Sequence, residues 1–307
     1  MSALRRALTD YLRVRRGAGF KLKQAGEMLP DFVEYLDKRR ASFLTTVAAI
    51  AWATQPRDVR PAWWRQRLVV VRGFARYLQT IDSRTEMPAL DHLPASEGIR
   101  STPYVYSAVD ITALLSATET LCSPLRVATY RTLLGLLAVT GMRVGEAIGL
   151  DERDFDRRRA VLVIRKTKFD KSREVPLHAS TVQALERYLR DRNRLARRRR
   201  TPSVFVSTAG SRLIYQNVHE TFLKLVYAAG LGDRRPRRPH IHDLRHSFAI
   251  RTVLDWYRDG VDVEARLPLL STYLGHIGPS STYWYLTAVP ELLEAATVRL
   301  ERSRSKS

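Results

Sequence analysis

Tyr285 follows His276 by nine residues, and upstream of both lie His242 and Arg245, three apart in His242-Asp243-Leu244-Arg245-His246. A second arginine, Arg143, stands in the segment Thr140-Gly141-Met142-Arg143-Val144-Gly145-Glu146. Hydroxyl, imidazole and guanidinium groups in this set suit chemistry at a phosphodiester. A tyrosine hydroxyl titrates at about 10, so it needs a base or neighbouring positive charge before it can attack phosphorus. A guanidinium fork stays charged and matches two phosphate oxygens, so an arginine pair can hold the non-bridging oxygens and stabilise the charge of a pentavalent transition state. The leaving 5′ oxygen needs a proton, and a lysine on a hairpin is a suitable donor. Lys168 is the candidate, with Lys166 and Lys171 as rivals that residue type cannot separate.

Each of these residues has a plainer reading. Taken alone, Arg143 would serve to cap a helix C-terminus. His240, His242 and His246 have spacings that a metal site could use, but no Glu or Cys cluster accompanies them, and neither a metal nor another cofactor is expected. Tyr283 and Tyr285, two apart, could be packing aromatics; it is the combination in order and spacing that points to chemistry.

The elements that must position these groups are mostly helices. Residues 1–82 carry amphipathic helical patterns at Met28 to Leu36, Leu44 to Trp52 and Trp63 to Leu78, broken at Pro30 and Pro56 and around Gly17 and Gly19. They read as a small α-helical N-terminal domain. Residues 83–103 carry Pro88, Pro94, Gly98 and Pro103 and read as a linker. In residues 104–307, Ser107 or Asp110 is placed to cap a helix, and Pro124 opens an apolar one that Gly141 stops. Ala160 to Ile164 and Arg173 to Pro176 are β-like, with Lys168-Phe169-Asp170-Lys171 between them as a turn. Helices resume at about Ala179 to Arg198, Gln216 to Ala229, His242 to Arg258 and Val263 to Leu274, with a last one at about 290–301. The expected fold class is mainly α with a small antiparallel β-sheet in the second domain (α+β).

Composition narrows the partner. The chain of 307 residues has a formal charge of +21, divided as +7 on residues 1–98 and +14 on residues 99–307. A basic surplus spread over both parts is the footprint of a protein that wraps a polyanion, with nucleic acid first among candidates. Arg197, Arg198, Arg199 and Arg200 form one run, and Arg237 and Arg238 end a second; both are expected to touch phosphate rather than bases. Cys122 is the only cysteine, which excludes an intrachain disulfide and a thiol redox pair. No apolar run reaches the roughly 18 residues of a membrane span, and the N-terminus lacks a signal-peptide pattern. A soluble cytoplasmic protein with no membrane partner is expected.

Thr140 to Leu150 (TGMRVGEAIGL), His242 to Ala249 (HDLRHSFA) and Leu274 to Tyr285 (LGHIGPSSTYWY) resemble the three signature boxes of the tyrosine recombinase, or phage integrase, family. The resemblance covers most of residues 104–307; residues 1–82 resemble the family's core-binding domain only in size, helicity and position. By that resemblance Arg143, His242, Arg245 and His276 match catalytic positions, Glu146 matches the supporting acid, and Tyr285 matches the nucleophile, with Tyr283 a neighbour. Lys168, eight residues before Pro176, keeps the register of the family's hairpin lysine. Gly278-Pro279 departs from the family pattern, where serine and acidic residues are common.

The resemblance implies a metal-independent strand transferase. A 3′-phosphotyrosyl link forms and a 5′-hydroxyl is freed, with the two domains closing as a clamp on duplex DNA. It implies a homotetramer on two DNA sites that exchanges C-terminal helices, a monomer or weak oligomer in free solution, and possible accessory proteins. The tail Tyr285 to Leu300 is similar to integrases borne on bacterial mobile elements. The alternatives are a type IB topoisomerase-like enzyme and a non-catalytic DNA-binding accessory protein of the same fold.

Overall fold

A set of four helices builds the first of two units, Met1–Ser101. The computed structural model describes residues 2–94, 102–165, 172–196, 200–234 and 238–275. Helix α1 (Ala3–Gly17) starts where Ser2 accepts the Arg5 N–H at 3.2 Å. Helix α2 (Lys23–Lys38) runs straight through Pro30, where the sequence predicts a break. A proline inside a helix loses a hydrogen bond and crowds the preceding turn, at a cost of about 3 kcal/mol. Leu29, Phe32, Val33 and Leu36 on the same helix are fully buried, and burial stabilises such side chains by roughly 1.5–3 kcal/mol each, enough to offset it. Helix α3 (Thr46–Ala53) is capped by Thr45 and α4 (Pro61–Leu78) opens on a proline.

Trp52, Leu68 and Phe74 complete this core. The segment after α4, which the sequence places at the start of a linker, lies against that helix: Arg65 donates to Leu90 O at 3.0 Å, Gln79 to Thr85 O at 3.1 Å, and Leu93 is buried.

The second unit, Thr102–Ser307, is arranged around an apolar helix. Helix α5 (Ala108–Ser116) begins in a capping box: Ser107 Oγ accepts the Asp110 N–H at 3.0 Å while Asp110 accepts the Ser107 N–H at 2.9 Å. Helix α6 (Pro124–Thr140) buries Leu125, Tyr130, Leu133, Leu134, Leu136 and Leu137, which do not share one face, and it is therefore the central helix. It packs on α5, on α8 (Ala179–Leu195) and on α10 (Asp243–Arg258).

Helix α7 (Val144–Gly149) follows, then a three-stranded antiparallel sheet in the order β1 (Phe155–Asp156), β2 (Val161–Ile164), β3 (Arg173–Pro176). The register pairs Leu162 with Phe155 on one side and with Val175 on the other, and Ile164 with Arg173. The two-residue β1 has too little alternation to be read from sequence. Helix α9 (Tyr215–Ala228) lies beside α5 and α7. Helix α11 (Val263–Leu274) contains Pro268 and shares with α10 a small core of Ala249, Ile250, Val253, Leu267 and Leu270. Among the described residues no helix is long and apolar enough to cross a membrane.

Candidate active site

The end of α6 sets the first side chain. Gly141 adopts φ +60°, and a Cβ there would lie 2.4 Å from a ring carbon of Phe248, so glycine is required both for the turn and for the packing. The chain then reverses through buried Met142 into Arg143, the residue that begins α7. By its own backbone Arg143 stands at the N-terminus of α7, where the helix dipole disfavours a cation; the C-terminus that its side chain caps is that of α11, as the plainer reading allowed. Glu146 compensates, accepting from Arg143 N and from Arg143 Nη1, each at 2.9 Å. The far end of α7 is fixed by Arg212, which donates to Ile148 O at 2.9 Å and to Asp151 at 2.6 Å.

Glu146 has a second cation, one that sequence reasoning missed. Arg173, the first residue of β3, donates from Nη1 to Oε1 at 3.0 Å and from Nη2 to Oε2 at 2.7 Å. Burial acts to raise the Glu146 pKa, but the hydrogen bonds and charge of Arg173, followed by those of Arg143, prevail and hold it below the ordinary value. The only sequence signal was indirect: a buried acid in a basic site needs more positive charge than one exposed arginine supplies.

Three arginines then meet one stretch of backbone. Arg173 Nε donates to Tyr273 O at 2.8 Å, Arg245 Nη2 donates to Leu274 O, and Arg143 Nη2 donates to Gly275 O at 2.9 Å. These consecutive carbonyls are the C-terminal end of α11, the negative pole of its dipole. Arg245 also donates to Gly141 O, at 2.8 Å, so that the ends of α6 and α11 converge on a guanidinium that is 2% exposed. Carbonyls at two helix C-termini satisfy a charge that would otherwise be costly to bury. Gly275 (φ +66°) closes the arrangement, since a Cβ there would meet Arg173 Nη1 at 2.8 Å.

His242 is the residue before α10 and is exposed, with His246 edge-on to it at 4.7 Å. Its pKa is pushed down to about 4, first by desolvation, then by Arg245 and Arg143, against a smaller opposing pull from Glu146. Because the residue is exposed, the two guanidiniums are the firmer cause; both causes favour the neutral imidazole. Helix α10 is anchored by Tyr106, whose N–H donates to Ser247 Oγ at 2.8 Å, while Ser247 in turn donates to Asp243 O at 2.8 Å.

The described residues thus bring together Arg143, Glu146, His242 and Arg245, and add Arg173. Lys168, His276 and Tyr285 lie outside the described residues, as do Lys166, Lys171, Tyr283, Gly278-Pro279, Arg197, Arg198, Arg199, Arg237 and the helix expected at 290–301. Arg200 is exposed, and Arg238 donates to Tyr227 Oη at 3.0 Å. Among the described residues no group of three His, Cys, Asp or Glu side chains is placed to hold a metal ion.

Residues 106–291 match the profile of the Phage integrase family. The protein y4rB of Sinorhizobium fredii, whose name assigns it provisionally to the integrases/recombinases, is 45% identical over 98% of this chain and 98% of its own length. The tyrosine recombinase XerD of Mycobacterium leprae is 30% identical over 95% of this chain and 88% of its own. Among solved structures, the Tn1549 transposon integrase in complex with transposon right end DNA superposes with a TM-score of 0.68, covering 96% of this chain and 98% of that one at 16% identity, a likeness of fold.

Proposed function

The chain belongs to the phage integrase family, and on that premise we propose that it cuts and rejoins duplex DNA through Tyr285. In this reading the Tyr285 oxygen attacks the scissile phosphorus and breaks the bond to the 5′ oxygen. The tyrosine proton passes to His242, and Lys168 gives a proton to the departing 5′-hydroxyl. A 5′-hydroxyl from a partner strand then attacks the 3′-phosphotyrosyl link, releasing Tyr285 and restoring the phosphodiester. Because the bond energy is held in the protein link, no nucleotide is hydrolysed.

The convergence of Arg143 and Arg245 on the end of α11, one residue before His276, carries this reading, with His242 within electrostatic reach of both guanidiniums. Arg143, with 40% of its side chain exposed, is the arginine that meets the phosphate first. Arg245, at 2% exposure, joins it when DNA displaces the protein atoms covering it. The negative phosphate raises the basicity of His242 toward the range useful for proton transfer. His276 supplies the second imidazole, and Glu146 orients Arg143.

Both basic units, residues 1–82 and 104–307, bind the duplex, joined through residues 83–103. Phosphate contacts dominate, including those from Arg197 to Arg200 and from Arg237 and Arg238. Four protomers work on two DNA sites, in the cytoplasm at the nucleoid. The similarity to y4rB over nearly the full length supports integration or recombination, here of a mobile element.

The test is SDS trapping of covalent protein–DNA adducts from cells expressing wild type, Tyr285→Phe or Tyr283→Phe, with sequencing of the attached DNA. Adducts at a defined sequence that survive in Tyr283→Phe and vanish in Tyr285→Phe are expected. Persistence in Tyr285→Phe would refute the nucleophile, and exchanged strands rather than supercoil relaxation separate recombination from a topoisomerase.

A further inference from the structure

Arg173 is neither one of the family-motif residues above nor well placed to touch DNA, being 13% exposed on β3. All three of its guanidinium nitrogens are nevertheless committed to the site: two to Glu146 and one to Tyr273 O. Glu146 is itself 11% exposed, and its ion pairs among the described residues are with Arg143 and Arg173. A buried carboxylate with a single cation would draw that cation's charge entirely to itself.

We propose that Arg173 is a positioning residue that neutralises Glu146, leaving the positive charge of Arg143 for the scissile phosphate, and holds the α11 end in register for His276. This rests on the strand-transfer reading above. With Arg173 in place, the group Arg143, Arg173, Arg245 and Glu146 carries a net +2; without it, +1, and Glu146 turns on Arg143 alone. The Gly275 contact adds a steric lock, since only a residue without Cβ lets the guanidinium lie against the backbone at the α11 end. Arg173 therefore ties the sheet, α7 and α11 into one frame through side-chain and backbone acceptors at once.

The experiment compares covalent adducts in cells expressing wild type, Arg173→Gln, Arg173→Lys, Glu146→Gln and the double variant Arg173→Gln/Glu146→Gln, each purified in parallel for thermal melting and for retention on heparin. Arg173→Gln is expected to lower adduct yield by on the order of 100-fold, the effect of a small misplacement of reacting groups, with heparin retention unchanged. Removing Glu146 as well restores a substantial part of the yield, because the unbalanced carboxylate is gone. That rescue distinguishes charge balance from mere scaffolding. If Arg173→Gln melts too early to be assayed, Arg173→Lys keeps the charge and loses the fork, and is expected to give intermediate yield. Wild-type yield in Arg173→Gln, or a double variant no better than the single one, would overturn the proposal. Absence of adducts in wild type itself would instead overturn the strand-transfer reading, and this proposal with it.

Discussion

His242 lies within electrostatic reach of Arg245 and Arg143, and this has a consequence that can be measured without DNA. Its imidazole protonates at about 4 in the folded chain, against 6.5 in an unperturbed one. As pH falls through that window the unfolded chain takes up the proton before the folded one does, so the fold loses stability. The ring resonances of His242 in an NMR titration are therefore expected to move only near pH 4, and His242→Asn should lose less stability than wild type on acidification from neutral pH. A midpoint near 6.5 would contradict the site's electrostatics. Gly141 makes a second test at this scale. Alanine there must adopt a positive φ and push against Phe248, each costing ~1–3 kcal/mol. Urea denaturation should show that loss. Adduct formation should fall further than stability alone accounts for, because Gly141 O holds Arg245.

At the scale of elements, the site is a meeting of helix ends. The C-termini of α6 and α11 face Arg245, and the N-terminus of α7 presents Arg143 beside Glu146. Each end is fixed by its own device, glycine at Gly141 and Gly275, Arg212 at the far end of α7, and the Tyr106–Ser247 hydrogen bond at α10. The capping box of α5 makes none of these hydrogen bonds itself, although Ser107 directly follows Tyr106, so Ser107→Ala should cost about 1 kcal/mol of stability, read from the urea midpoint, and leave adduct formation intact as long as Tyr106 keeps Ser247. Parallel loss of adducts would mean that α5 has a role in the reaction beyond packing.

At the scale of the whole molecule, basic charge in both units predicts affinity that rests on counterion release. Binding to the trapped DNA sequence should fall steeply as salt is raised, and near salt-independence would contradict the clamp. In the sequence of residues 290–307, Leu292, Leu293, Ala296 and Leu300 recur at the spacing that would form an apolar stripe on a helix. If that stripe docks on a neighbouring protomer, deleting 290–307 weakens assembly of four protomers on DNA while leaving binding of one protomer to one site. Native gels with a single-site duplex and a two-site duplex separate the two effects, and unchanged assembly would sink the idea.

The family, the mainly helical fold with its small antiparallel sheet and most helix limits were legible in the chain itself. Gly141, Pro124 and the α11 span 263–274 stand where local rules place them, because caps, breakers and apolar periodicity act over a few neighbouring residues. Pro30 was misread because burial of the surrounding side chains, a tertiary effect, outweighed a local penalty. Arg173 went unseen for the same kind of reason. Its partners are 27 residues before it and 100 residues after it, and no local pattern links a strand's first residue to a helix's last carbonyls. The residue types and their order thus identified the chemistry, whereas the pairing of charges across the site was decided only when α6, α7, β3 and α11 packed together, since electrostatic balance depends on distance in space and not along the chain.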